Sequence, residues 1–459
     1  MKSYFVETWG CQMNVLDSQH MEGLLRAQGM TPAPDPGSAD VMVLNTCSVR
    51  EKAAQKVRSR LGELDRLRRE SGRPQIIGLC GCIAEQEGAR LLDNNRTLSF
   101  VLGTGRISQL PSLIDAAVNG ERKTETGFSE TRDYDEHLIA RGSTGRHYVT
   151  AIHGCEQHCT FCIVPYTRGK EVSRPSNRIV AEVESLAARD AVEITLLGQT
   201  VNAYRCPETG LDFSDLLDAV TTVPGPRWVN FLTSHPRFFS DRMVAALGSL
   251  PRLGTNLHLP FQSGSDRVLR AMRRRYTGVE YLALVDRIRR ARAETVFSTD
   301  VIVGFPGESE EDFQQTLNLV REARFGQLFG FVFSPRPGTP AAVYPDRVSR
   351  EVAGERLNRL FELQAAVQLS LHQSLIGSNR EILLDGPARR GNDQWQGRGA
   401  DNRVVNLPGL PGYAAGQVVS VTITGATTYA LLGEAAGEHA SAVAQSPERD
   451  IQARTPQRS

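Results

Sequence analysis

The chain has 459 residues, too many for one ordinary hydrophobic core, so two to four domains are expected. It is 40% hydrophobic and 23% charged with a net charge of +1, which singles out no partner; a nucleic acid would have to be met through local patches. No apolar run suits a signal peptide or a membrane span, so the chain reads as cytoplasmic, and its eight cysteines as metal ligands or catalytic thiols rather than disulfides.

Residues 1–118 alternate short apolar runs with helical patterns. "SYFVETWG" predicts a strand and turn, and "SQHMEGLLRAQGM" a helix stopped at Gly29. "DVMVLNTC" and "PQIIGLCGC" predict two further strands, each leading into a helical run. Such alternation indicates an open parallel sheet covered on both faces. Cys11, Cys47 and Cys82 each fall just past a strand's C-terminal end, the edge where open α/β sheets bind ligands. Cys80 reads as a small buried hydrophobe. The polar run 119–140 reads as a linker.

From 141 to 371 the alternation recurs six times, the strands being "HYVTAIHG", "EITLLGQ", "RWVNFLTS", "NLHLPFQ", "VFSTDVIVGF" and "LFGFVFSPR". Six β/α units predict a partial TIM-like (β/α)6 barrel with functional residues at strand C-ends. Gln199, Asn202, Ser234 and Gln262 stand there as candidate cofactor-pocket residues, with strand-end capping the plainer reading. Over 372–436, short strands broken by Gly, Pro, Asn and Asp predict a small antiparallel β-barrel, and 437–459 reads as a disordered tail. The small barrel carries as many acids as arginines, yet Arg389, Arg390, Arg398 and Arg403 with Trp395 could form a local phosphate-and-stacking face. The basic runs 58–70 and 267–275 read as solvated helix faces.

"GCEQHCTFC", residues 154–162, presents Cys155, Cys159 and Cys162 at the mouth of the predicted barrel. Thiolates suit iron–sulfur clusters and zinc, but structural zinc normally takes a closed set of four. His153 and His158 lie near enough in sequence to supply a fourth ligand. The other reading is a deliberately open position, as at catalytic metals.

The C-x₃-C-x₂-C loop, with "TDVIVGFPGE" on the fifth strand, resembles the signature of the radical S-adenosylmethionine (SAM) enzymes. "WGCQMNVLDS", "NTCSVREKA" and "GCIAEQ" resemble the N-terminal domain of its methylthiotransferase branch, and the C-terminal module resembles a TRAM domain, a small RNA-binding barrel. Within that branch the chain looks most like the members acting on prenylated adenosine in tRNA.

The resemblance implies two [4Fe–4S] clusters. One, on Cys155, Cys159 and Cys162, would chelate SAM at its open iron; the other, on Cys11, Cys47 and Cys82, would supply or carry sulfur. SAM would be both radical source and methyl donor, and the product a methylthio group on C2 of N6-isopentenyladenosine next to the anticodon. A low-potential donor such as flavodoxin or ferredoxin, a monomeric state and no membrane partner go with this reading. The alternatives are a methylthiotransferase of threonylcarbamoyladenosine tRNA or of a ribosomal-protein aspartate, a non-catalytic iron–sulfur RNA-binding protein, and a zinc-stabilised scaffold. Cys206 has no assigned role.

Overall fold

The structure is a computed structural model that describes residues 1–48, 51–128, 136–142, 144–388 and 393–436, residues 51–55 by their helical backbone alone. It divides into two compact units, Met1–Val367 and Gln368–Ser459. The polar tail expected at 437–459 lies outside the described residues.

The first unit opens with a six-stranded, wholly parallel sheet in the spatial order Thr31–Pro32, Ser3–Trp9, Val41–Thr46, Ile76–Gly81, Phe100–Leu102, Lys123–Glu125. Val41–Thr46 is buried at all six positions because both faces are covered. Side chains alternate across a strand. Val41 and Val43 therefore join Met21 and Leu25 of the helix Gln12–Ala27, whereas Met42 and Leu44 join Leu61 and Leu64 of the helix Glu51–Ser71. Each such fully buried side chain contributes roughly 1.5–3 kcal/mol. Three of the six strands have only two or three residues, too short to announce themselves by periodicity. One of them, Lys123–Glu125, lies inside the run expected as a linker, and Ile139 of the same run is buried against Met13, Leu16 and Leu197.

All six expected strands of the second half are present and parallel. Arg146–Thr150, Glu193–Leu197 and Trp228–Phe231 form one three-stranded group, and Asn256–His258, Val296–Val303 and Gln327–Val332 another. Among the described residues a single bridge, Val229 to Leu253, joins them into one incomplete barrel. Outward residues such as Val149, Leu196 and Val301 share one core with the surrounding helices; Ser176–Ala187 offers Ile179, Val183 and Leu186 on one face, at helical spacing. Short polar residues start the helices: Asp212, Thr277 and Ser309 each close a capping box, and Ser240 and Ser265 accept single cap bonds.

The inner face of the first strand group is not open. Leu197, Tyr148 and Leu232 pack against Met13 and Leu16, so the first helix of the N-terminal domain lies over that part of the barrel. The helix Arg350–Gln373 covers the outside of the last strand, where a Cβ on Gly330 would meet Leu357 and Phe361.

The second unit is a closed five-stranded barrel in the order Asn379–Pro387, Gln394–Arg398, Val404–Pro408, Leu431–Ala435, Val418–Ala426. The expected antiparallel pairing holds except between Val404–Pro408 and Leu431–Ala435, which run parallel. A ring with an odd number of strands cannot alternate direction throughout, so closure forces one parallel pair. Val419, Val421 and Ile423 point inward on alternate positions.

Candidate iron–sulfur and SAM site

Cys11 caps the helix Gln12–Ala27, Cys47 follows the strand Val41–Thr46, and Cys82 opens the helix Cys82–Glu87. Their placement at three strand ends follows from the sheet. Gly81 (φ 93°) makes the turn before Cys82, where a Cβ would meet the Thr46 carbonyl at 2.4 Å. Beside these cysteines lies a buried polar network that sequence reasoning missed. Asn14 Oδ1 accepts from the Cys11 amide and thiol, each at 3.3 Å, and Asn14 Nδ2 donates to Asn45 Oδ1 and to the Thr46 carbonyl, also at 3.3 Å. Asn45 in turn donates to the Ser18 hydroxyl at 2.9 Å. Cys80 is fully buried in the apolar core of the sheet, and burial pushes its thiol well above the usual range. It packs there among Tyr4, Val43 and Phe100.

The second trio sits in the loop after the first barrel strand. Gly154 (φ 74°) lets the chain pass where a Cβ would stand 2.0 Å from the Lys170 carbonyl. The loop is pinned: Thr160 N donates to the Met272 carbonyl at 3.1 Å, and Ala341 N to the Thr160 carbonyl at 2.9 Å. Phe161 packs with Met272, Phe305 and Ile302. Cys155 Sγ shares a hydrogen bond with Thr200 Oγ1 at 3.3 Å, and Arg274 Nη1 donates to Cys159 Sγ at 3.4 Å. Arg274 lies in the run 267–275 expected as a solvated face, yet it is 8% exposed. It also bonds the Pro260 carbonyl and the Tyr276 hydroxyl. In a run of arginines no pattern marks the one that turns inward. Burial pushes the Cys162 thiol up to about 12, with Cys159 adding to it. Thiols so placed ionise only with compensating positive charge, such as bound metal. His153 is buried and His158 exposed.

Among the described residues no three His, Cys, Asp or Glu side chains are gathered tightly enough to grip a single metal ion. A four-iron cube spreads its thiolates more widely, one per corner. Two sets of three thiols, each with a buried arginine at hand, fit such anionic clusters in donor chemistry.

The four strand-end candidates separate. Asn202 exchanges two bonds with the His235 backbone, at 2.8 and 3.0 Å, and Ser234 Oγ donates to the His258 carbonyl at 2.5 Å, so these two brace strand ends. Gln262 (φ 69°) bridges by its backbone to Asp300 and Ile302. Gln199 is different: its Oε1 is buried with no hydrogen-bond partner, one residue before Thr200. Farther down the barrel, His258 bonds Asp300 at 3.3 Å and Ser298 at 3.1 Å. Phe329 and Phe331, on the same strand face as one another, are each 40% exposed. None of these was singled out from sequence, since isolated polar and aromatic residues in strands look like core.

One side chain links the segment after the barrel's cysteine loop to the N-terminal trio. Arg168 ends the short helix Val164–Arg168 that follows the barrel loop, and its guanidinium pairs with Asp17 at 2.7 Å in the N-terminal domain. Cys11 and Cys82 are its other electrostatic neighbours. Next to it, Thr104 Oγ1 donates to the Thr167 carbonyl at 2.6 Å.

In the C-terminal barrel, Arg403 is held by Asp401 at 2.8 Å with its side chain 10% exposed, and Arg398 by Asn402 at 3.2 Å. Trp395 packs edge-on to Tyr413. Arg389 and Arg390 lie outside the described residues.

The radical SAM superfamily model matches residues 149–320, the TRAM domain model residues 373–436, and a model described as uncharacterized protein family UPF0004 residues 3–103. The chain resembles the radical S-adenosylmethionine methyltransferase TsrM from Kitasatospora setae (TM-score 0.56, 14% identity, 75% of each chain), a likeness of fold. An incomplete parallel barrel carrying a three-cysteine loop at its strand ends, matched by that model, defines the class: a radical SAM protein with a TRAM domain. The tRNA-2-methylthio-N(6)-dimethylallyladenosine synthase of Thiobacillus denitrificans is 44% identical over 95% of this chain and 98% of its own. That of Chromobacterium violaceum is 43% identical over 95% and 99%. The chain belongs to the family of tRNA-2-methylthio-N(6)-dimethylallyladenosine synthases.

Proposed function

We propose that this chain is a radical SAM tRNA methylthiotransferase that converts C2–H of N6-isopentenyladenosine, beside the anticodon, to C2–S–CH₃. The Arg168–Asp17 pair, which brings the segment after the barrel's cysteine loop beside Cys11 and Cys82, supports the reading, because radical generation and sulfur delivery must act on one carbon. The relatives' shared name supplies the substrate.

Cys155, Cys159 and Cys162 hold the cluster that takes SAM, and Cys11, Cys47 and Cys82 hold a second. When bound, the clusters and SAM supply a carbon radical, a sulfur atom and a methyl group. A ring C–H of this kind has no useful acidity, so no side-chain base could replace them, and the chain's own work is orientation and exclusion of water. Thr200 and Arg274 steady two of the barrel thiolates, and Gln199 Oε1 is free to accept from the amino group of SAM. Asn202, Ser234 and Gln262 brace the strand ends around that pocket.

The electron comes from a low-potential donor such as flavodoxin or ferredoxin, and the enzyme works as a cytoplasmic monomer on tRNA. Among the described residues no helix is long and apolar enough to cross a membrane. The TRAM barrel is the natural RNA-contacting module, although its arginines 398 and 403 are already engaged within it.

The deciding experiment is anaerobic reconstitution followed by turnover with prenylated tRNA. About eight iron and eight sulfide per chain are expected from two cubes. Mass spectrometry of the digested tRNA should then show the methylthio nucleoside alongside 5′-deoxyadenosine. Clusters without either product would leave a non-catalytic iron–sulfur protein, and zinc in place of iron a structural scaffold.

A further inference from the structure

Arg168 is among the least accessible charges in the chain, with its side chain 3% exposed, and burying a guanidinium is costly unless it is paired. Its partner Asp17 is 10% exposed. The pair joins two domains: Asp17 lies in the first helix of the sheet domain, Arg168 at the end of the helix after the barrel's cysteine loop. Neither is needed to hold a cysteine by its backbone. Both act electrostatically on Cys82, Arg168 also as a hydrogen-bond donor to it, and Arg168 acts on Cys11 as well.

Resting on the two-cluster reading above, we infer that Arg168 and Asp17 are opposed charge-setting residues for the N-terminal cluster, the arginine being delivered from the radical-generating domain. A cube on three thiolates becomes more negative when it takes an electron. A fixed cation beside the cluster favours that reduced state, and a fixed anion disfavours it; the Arg168 and Asp17 side chains are themselves buried, which limits screening although Cys11 is exposed. Arg168 therefore raises the potential of the N-terminal cluster, and Asp17 lowers it. Undocking the barrel would remove the cation and leave the anion. The N-terminal cluster thus reduces readily only while the radical-generating domain is seated against it. Both residues are positioning residues that act through the cluster.

The test uses the full-length chain with C155A, C159A and C162A, so that only the N-terminal cluster assembles. Iron is counted, about four per chain being expected. The potential of the reduced cluster's electron paramagnetic resonance signal is then titrated for this parent and for R168Q, R168K and D17N made in it. R168Q should titrate at a lower potential, D17N at a higher one, and R168K close to the parent. A purely structural latch would not yield shifts of opposite sign. Iron-loaded R168Q and D17N that titrate with the parent, or that shift in the same direction, overturn the inference. Should R168Q bind no iron, D17N decides alone: an unshifted potential overturns the inference, and an upward shift with R168K unchanged supports it. A parent that binds no iron overturns the two-cluster reading itself, and is recognised from the iron count before any potential is measured.

Discussion

Asn14 and Asn45, 31 positions apart, grip one another beside the N-terminal cysteines: Asn14 Nδ2 donates to Asn45 Oδ1 at 3.3 Å, and Asn45 Nδ2 to the Asn14 carbonyl at 2.8 Å. Both are fully buried, and together they tie the Cys11 turn to the residue before Cys47. Asn45→Ala takes one hydrogen bond each from the Asn14 side-chain amide, the Asn14 carbonyl and the Ser18 hydroxyl, which costs about 1–3 kcal/mol. The expected result is a lower urea midpoint and iron falling from about eight toward about four per chain, since only the barrel trio keeps its geometry.

Cys80 and Cys82 are two positions apart and should behave oppositely. Cys80→Ala removes one buried sulfur from an apolar core and should cost about 1 kcal/mol with the iron count unchanged. Cys82→Ala should leave stability of the metal-free chain nearly intact while halving the iron. Equal iron loss in both variants would reassign the third ligand.

Gly154→Ala is expected to be severe. The left-handed backbone costs a non-glycine residue about 1–2 kcal/mol, and the new methyl would lie 2.0 Å from the Lys170 carbonyl, which cannot swing away as a side chain can. The readout is the visible spectrum of the reconstituted barrel cluster in a Cys11→Ala, Cys47→Ala, Cys82→Ala background; Gly142→Ala, open on all sides, is the control.

Gln199→Ala should weaken SAM binding by roughly tenfold, the worth of about one hydrogen bond to a charged group, with little change in melting temperature because Oε1 has no partner to lose. Asn202→Ala should do the reverse, lowering stability by about 1–3 kcal/mol through its two lost bonds to the His235 backbone. Anaerobic equilibrium dialysis with SAM and thermal melts separate the two.

His147, on the first barrel strand, sets an acid limit. Burial, then Arg141 and Arg189, lower its pKa from 6.5 to about 4 in the folded state. The unfolded chain therefore binds the proton first as pH falls, so stability is full above about pH 6.5 and declines toward pH 4. His147→Gln should flatten this decline, by on the order of 2 kcal/mol, in urea titrations across that range.

The strands of the barrel were legible because six apolar runs each end in polar or glycine-rich residues, and the strand-end positions of Cys11, Cys47 and Cys82 because each follows such a run, whereas what the cysteines hold stays a proposal. Phe100–Leu102 and Lys123–Glu125 were not, since three residues cannot display a period, and an edge strand as polar as "KTE" resembles a loop. Arg168 and Arg274 were hidden for a different reason. Composition assigns arginine to the surface, and only packing reveals the two that are drawn inward by Asp17 and by Cys159. Asn14 and Asn45 were equally silent, because a buried amide is defined by its partner rather than its neighbours in sequence.

Met13 and Leu16, seated on Leu197 inside the barrel, hold the sheet domain against it. Swinging the sheet domain outward would bare that greasy contact to water, so on the two-cluster proposal the sulfur-bearing centre would be no roaming carrier, and the tRNA would have to bring its base to it.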